Sequence, residues 1–228
     1  FGFIDKGFDD FFFFVNANTQ LKFLYGVNDW LTLHIGRSGF QETYDLAAKY
    51  RLYAQKENGF PVTIVGFNSV AINSELKEED YPNLKFENRL SYVAQVLISR
   101  KFSDKLSLEI APSVFHENTL RDILDENNAV ILPNPQDNTQ FAVGLGGRYK
   151  LTSRWSVNVD YAAHLNRASQ SNYKNPLSIG VDLETGGHVF QMHFTNAQAM
   201  HETGYLGQTV GDWSKGEIAF GFNLVRVF

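Results

Sequence analysis

Leu177-Ser178-Ile179-Gly180-Val181-Asp182-Leu183-Glu184-Thr185-Gly186-Gly187-His188-Val189-Phe190-Gln191-Met192-His193-Phe194-Thr195 decides the fold. On both sides of Gly186-Gly187 apolar and polar residues alternate, the period of a β-strand with two unlike faces. A Gly-Gly pair between two such runs reads as a two-residue hairpin turn. That turn sets Leu183 against Phe190, Val181 against Met192 and Ile179 against Phe194 on one face. It sets Asp182 against Gln191 and Gly180 against His193 on the other. A slip of one residue would carry charge onto the apolar face, so the register is strongly specified.

The pattern repeats along the chain. Leu21, Phe23, Tyr25 and Val27 form one apolar face; Leu31, Leu33 and Ile35 the next; then Leu46, Ala48, Tyr50 and Leu52. Leu90 to Ile98, Leu106 to Val114, Phe141 to Tyr149 and Val157 to Leu165 follow in the same way. A three-residue turn at Thr152–Arg154 sets Val157 against Tyr149, Tyr161 against Leu145 and Asn158 against Arg148. Residues 61–73 are strand-like, but their outward face is ambiguous. The run Ile218–Phe228 brings the clear strands to eleven. Connections alternate in length: short near 28–30, 56–60, 101–105, 152–154 and 185–188, long near 37–44, 74–87, 117–138, 166–175 and 196–216. Short turns at one end and long loops at the other mark an outer-membrane barrel. A soluble sandwich has no reason to keep that parity.

The expected fold is therefore all-β: one antiparallel up-and-down transmembrane barrel over residues 1–228, of about twelve strands. By parity a strand must rise before residues 20–27, either within residues 1–16 or upstream of Phe1. Short helical turns are expected near Phe8–Phe14 or Leu120–Asp125. The sequence shows no signal peptide, so export is expected to have used a leader outside it. The expected location is the bacterial outer membrane, with its lipid as the first partner.

Composition agrees. The chain has 228 residues, 14% aromatics and a net charge of −5, against the basic excess of a nucleic-acid binder. It has no cysteine, which excludes disulfide scaffolds, thiolate metal sites and cysteine nucleophiles. Mean hydropathy is −0.25, and no apolar run approaches the length of a membrane helix. Trp30 and Trp155 start strands after short turns, and Phe102, Tyr149 and Phe228 sit near the same level. Amphipathic rings favour the membrane interface, so these five are the expected girdle.

The string Asp182–Asn196, with Gly36-Arg37-Ser38, Thr43-Tyr44-Asp45, Gly146-Gly147-Arg148-Tyr149-Lys150, Gly211-Asp212-Trp213 and Gly221-Phe222-Asn223, resembles a β-barrel family of Bacteroidota whose function is unassigned. The resemblance runs from about Phe1 to Phe228. It implies an outer-membrane barrel and carries no catalytic residue. Members of that family usually have a further strand ahead of the position of Phe1, which puts the first strand here in doubt.

The other face of the strands supplies the expected lumen lining: Lys22, His34, Asp45, Lys49, Arg51, Arg89, Glu109, Arg148, Lys150, Asp160, Asp182, Glu184, Gln191 and His193. Two readings compete. A water-filled polar lumen screens small solutes; a plug of paired charges holds a narrow barrel rigid. An enzyme is not expected. The outward residues offer no Ser-His-acid set at one height, and the rim groups His116, Glu117 and Asp122, or His201 and Glu202, would first have to converge. No metal or other cofactor is expected, because the six histidines lack compact ligand spacing. The leading expectation is a porin-like channel. The alternative is a non-catalytic subunit of an outer-membrane complex, with an outer-membrane or periplasmic protein as partner. A bare lumen favours the first and a tightly plugged one the second.

Overall fold

A computed structural model describes residues 18–79, 81, 83–120, 123–124, 130–132 and 135–226. The expected first strand within residues 1–16, the helical turns at Phe8–Phe14 and Leu120–Asp125, and the girdle position Phe228 lie outside the described residues or are only partly covered by them. The strands are β1 (Gln20–Gly26), β2 (Leu31–Ser38), β3 (Tyr44–Tyr53), β4 (Thr63–Ile72), β5 (Leu90–Lys101), β6 (Leu106–Glu117), β7 (Ile123–Leu124), β8 (Val130–Leu132), β9 (Thr139–Lys150), β10 (Trp155–His164), β11 (Leu177–Thr185), β12 (His188–Thr195) and β13 (Ala219–Arg226). One short helix, α1 (Glu202–Gly207), lies between β12 and β13.

Eleven strands form one sheet in the order β1-β2-β3-β4-β5-β6-β9-β10-β11-β12-β13, while β7 and β8 make a separate small hairpin. Every neighbour in the large sheet is antiparallel. With an odd number of alternating strands, β1 and β13 run the same way, and no ladder joins them among the described residues. The decisive hairpin has the expected register: Leu183 opposes Phe190, and Asp182 opposes Gln191. Gly186 and Gly187 take φ values of 44° and 131°, a conformation that side chains other than glycine resist. Val157 opposes Tyr149 and Asn158 opposes Arg148, as the second hairpin requires.

The burial pattern is inverted relative to a soluble protein. Large apolar side chains stand exposed around the outside, among them Phe23, Ile35, Leu46, Phe141, Leu145 and Leu224. Polar side chains are buried on the inner face, among them Asp45, Ser113, Gln140, Ser156 and Asp182. Water would penalise the first set and hydrocarbon would not, so this surface is built for lipid. Trp30, Phe102, Tyr149 and Trp155 are exposed near the short-turn end, where the girdle was expected.

The ambiguous segment is β4. Its register turns Ile64, Gly66, Asn68 and Val70 outward and Val65, Phe67, Ser69 and Ala71 inward. Both faces carry apolar groups, so alternation alone cannot choose between them. The inward Phe67 packs against His34 with ring centroids 5.7 Å apart. The outward Asn68 is compensated locally, because the Tyr50 hydroxyl donates to its Oδ1 at 2.8 Å. Two connections also differ from expectation. β2 runs on to Ser38 and β3 begins at Tyr44, so the link near 37–44 is short. The link between β3 and β4 occupies residues 54–62 and is longer than a tight turn.

Candidate functional site

The segment between β12 and β13 does not project from the rim. Its residues Ala197, Ala199, His201, Thr203, Leu206 and Thr209 are all buried. α1 carries Leu206 into a cluster with Val93 of β5, Phe115 of β6, Ala142 of β9 and Ala162 of β10, and Tyr205 packs at its edge. Lys22 of β1 forms an ion pair with Glu202 at 3.4 Å from the other end of the sheet. One segment touching both ends of the sheet means that the sheet curls around it.

Small inward residues make the room. Ala111, Ala142, Gly144 and Ala162 lie on neighbouring β6, β9 and β10, in the part of the wall that α1 packs against. Polar ties then fix the segment. The Gln208 amide donates to Glu117, whose other oxygen accepts from Gln140 at 3.1 Å. Tyr205 donates its hydroxyl to Asp160, and Thr203 and Ser91 share a hydroxyl contact of 3.2 Å. At the base, Asn196 accepts from the Leu177 amide at 2.8 Å and donates to the carbonyls of Asn175 and Gly211. Asp212 accepts from Ser214 N at 2.9 Å and caps the returning turn. Hydrogen bonds from Ser214 and the nearby Lys174 and Lys215 hold the Asp212 carboxyl below its ordinary range. Burial pulls the His201 imidazole down to about 4, although Asp45 opposes the shift.

On the opposite side the described residues leave space. A cavity of about 300 Å³ lies between α1, the start of β1 and strands β11–β13, reaching the edge of the sheet at Phe220 and Phe222 of β13. A second cavity of about 200 Å³ continues along β10–β13 and shares Ser178, His193 and Asn223 with the first. Glycine thins the wall there. His193 is flanked by Gly180 and Gly221 across the ladders. A Cβ at Gly221 would collide with the His193 ring, and one at Gly180 would sit 2.7 Å from His193 Cβ. The ring therefore lies along the wall instead of standing into the space.

The residues expected to line the lumen divide between these regions. Asp160, Asp182, Gln191 and His193 line the cavities. Gln191 donates to Asp182 at 3.0 Å, and Arg148 pairs with Glu184 and lies 3.9 Å from Asp182. Lys22 anchors α1, while His34 and Asp45 pair with each other at 3.1 Å beneath it. By register, Lys49, Arg51, Glu109 and Lys150 share the inner face with Asp45, Arg148 and Asp160 but contact neither cavity. Arg89 is the exception: it sits in the turn Phe86–Arg89 before β5, at the long-loop end, where it lines a narrow crevice with His201 and Gln208. Sequence reasoning missed the inserted segment itself and the inward Phe115 and Val93. The available signal was the run of small inward residues on β6, β9 and β10 facing a long loop with few charges. Among the described residues no group of three or more His, Asp or Glu is placed to hold a metal ion.

An inverted, up-and-down antiparallel sheet curled around its own loop is a β-barrel made for a membrane. The chain belongs to the family described as a membrane bound beta barrel domain (DUF5777), whose profile matches residues 1–228. Its fold is similar to that of the NanC porin, at a TM-score of 0.59 and 10% identity, covering 92% of this chain and 93% of that one. At that identity the likeness is one of fold. No curated protein matches the sequence.

Proposed function

We propose that the protein is a bacterial outer-membrane channel for small polar solutes, constricted by the segment 196–218 folded into its lumen. One observation carries this reading. The segment packs its apolar Leu206 against the side of the lumen formed by β5, β6, β9 and β10, and the described residues leave polar cavities of about 300 and 200 Å³ along β10–β13. A plug that served rigidity alone would gain nothing from glycines that thin the opposite wall. Short turns then face the periplasm and long loops the exterior. Chemistry is not part of the proposal: the polar groups position and select, and none is assigned a catalytic role.

The test is single-channel conductance of the refolded barrel in a planar bilayer, with folding verified by heat-shifted gel mobility. We expect small, reproducible steps that grow several-fold when residues 199–211 are replaced by a short Gly-Ser link. Silence from both folded proteins would refute the channel. The second reading, a non-catalytic subunit of an outer-membrane complex, draws on the ties from Gln208, Tyr205 and Glu202 that hold the segment in place. Silence together with a co-purifying envelope protein would favour it.

A further inference from the structure

We propose that the short-turn end of the barrel binds anionic glycerophospholipids by their phosphate, with Arg100, Lys105 and Arg154 as the cations. The two ends of the molecule differ in sign. Taking each link with two residues of flanking strand, the long-loop end holds fifteen Asp and Glu against eight Lys and Arg. The short-turn end holds six Lys and Arg against four Asp and Glu. Five of those six, Arg100, Lys101, Lys105, Lys150 and Arg154, lie on the neighbouring hairpins β5–β6 and β9–β10, where Asp104 is the one acid. Lys101 takes Asp104 at 2.8 Å. Arg100, Lys105 and Arg154 are exposed, and among the described residues no carboxylate pairs with them.

These cations sit among apolar groups on a fixed backbone. Arg100 pairs across the ladder with the exposed Leu108 of the outer face, and its guanidinium lies 5.0 Å from the centroid of the Phe102 ring. Tyr149, Leu151 and Trp155 carry the exposed apolar surface on to Arg154. A long side chain with its stem on hydrocarbon and its charge at the edge is placed to snorkel toward headgroups. The Ser103 hydroxyl accepts from the Lys105 amide at 3.3 Å, and the Thr152 hydroxyl from the Arg154 amide at 3.2 Å. Lys150 N donates to the Lys105 carbonyl at 2.8 Å and joins the two hairpins. Gln55 extends the tie to the β3–β4 link, donating to the Lys101 carbonyl at 2.9 Å and accepting from its amide at 2.8 Å.

Lipid fits both halves of this surface. Its acyl chains cover Leu108, Leu151 and Trp155, and its phosphate comes level with the cations. An acidic protein would match the charge and leave the apolar half to lipid. The planar fork of a guanidinium suits phosphate oxygens in pairs. Each Lys or Arg at a membrane edge raises affinity for an anionic surface about fivefold. A zwitterionic headgroup cancels much of that gain with its own ammonium, so the preference is for lipids of net negative charge. It is independent of solute passage and holds for a conducting and a silent barrel alike.

The test is tryptophan quenching in the intact, refolded barrel, with Trp30 and Trp155 exposed at this end as reporters. The protein is placed in phosphatidylcholine vesicles holding a minority of brominated phosphatidylglycerol, or of brominated phosphatidylcholine with the same chains. We expect the anionic lipid to associate about fivefold or more over the zwitterionic one. The ratio should fall toward one in the Arg100→Gln, Lys105→Gln, Arg154→Gln triple variant, with folding verified by heat-shifted mobility. For the wild type it should also fall at about 1 M salt, where the screening length is about 3 Å. Soluble glycerol 3-phosphate should leave it unchanged. Equal quenching by the two lipids, or a ratio that survives the triple substitution, would overturn the proposal. Loss of the preference to soluble glycerol 3-phosphate would overturn it in favour of a free-anion site. A wild-type barrel without lipid preference that retains an acidic envelope protein through these three residues would overturn it in favour of protein docking. The lipid and salt comparisons on the wild type need no variant to fold.

Discussion

Acid should loosen the inserted segment through His201. The side chain is buried at the start of α1, 2% exposed, beside the ring of Phe40 at 5.8 Å. The charged groups around it are Asp45 on β3, Lys22 on β1, its neighbour Glu202, and Glu117 and Arg89 across the narrow crevice. His34 stands behind Asp45 at 3.1 Å. Burial places the imidazole at about 4 in the inserted state, against an ordinary 6.5 once the segment is solvated. The inserted state therefore binds the proton less well. Insertion keeps its full stability above about pH 6.5 and loses it progressively as the pH falls toward 4. The full gap corresponds to about 3 kcal/mol, or roughly a 300-fold shift in the insertion equilibrium. The chain has no cysteine, so the assay is direct. Thr203→Cys places a thiol where the side chain is 2% exposed. Its maleimide reactivity, divided by that of an exposed Ser214→Cys control to remove the thiol's own pH dependence, should rise between pH 6.5 and 4.5. In a His201→Asn background the rise should disappear. A ratio that stays flat with pH, or that rises equally in the variant, would refute the reasoning.

Three further outcomes follow from the packing. Leu206→Ala should weaken insertion by about 2–5 kcal/mol, read as faster labelling of Thr203→Cys at neutral pH. Gly221→Val should drive the His193 ring off the wall and into the chamber, lowering single-channel conductance; adding His193→Ala should restore it, and no restoration would sink the account of the glycines. Gly187→Val forces a branched side chain into a φ of 131° and should cost about 1–3 kcal/mol, measured as a lower urea midpoint for the heat-shifted band. A Gly187→Asn variant should fall between the two.

Much of the barrel was legible because its signal is redundant. Leu183, Val181 and Ile179 fix one face of β11 three times over, and Gly186-Gly187 fixes the register to β12, so errors at single positions cannot move the pairing. β4 lacked that redundancy. Val65, Phe67 and Ala71 are as apolar as Ile64, Val70 and Ile72, and only contacts from other strands decide which set faces inward. Phe67 belongs inside because His34 receives its ring. Arg89 was misplaced for a related reason: Leu90 begins the alternation of β5, and extending it back by one residue looks harmless, but the chain there turns at Phe86–Arg89.

The inserted segment was illegible for a deeper reason. A loop exposed to water and a loop packed in a polar lumen draw on the same residues. Glu202, Tyr205 and Gln208 would suit solvent equally well; what commits them is the position of Lys22, Asp160 and Glu117 on distant strands. The large apolar side chain that the segment buries is Leu206, and the space it enters exists because Ala142 and Ala162 are small on strands β9 and β10. The inner wall therefore carries two opposite uses of small residues. Alanines on β9 and β10 admit a side chain of the protein itself, while Gly180 and Gly221 on β11 and β13 let a histidine lie flat and keep the cavity clear. A sealed barrel would fill both sides, and an empty one would need neither. An inner wall packed on one side and, among the described residues, left clear on the other is the feature on which the proposed channel rests.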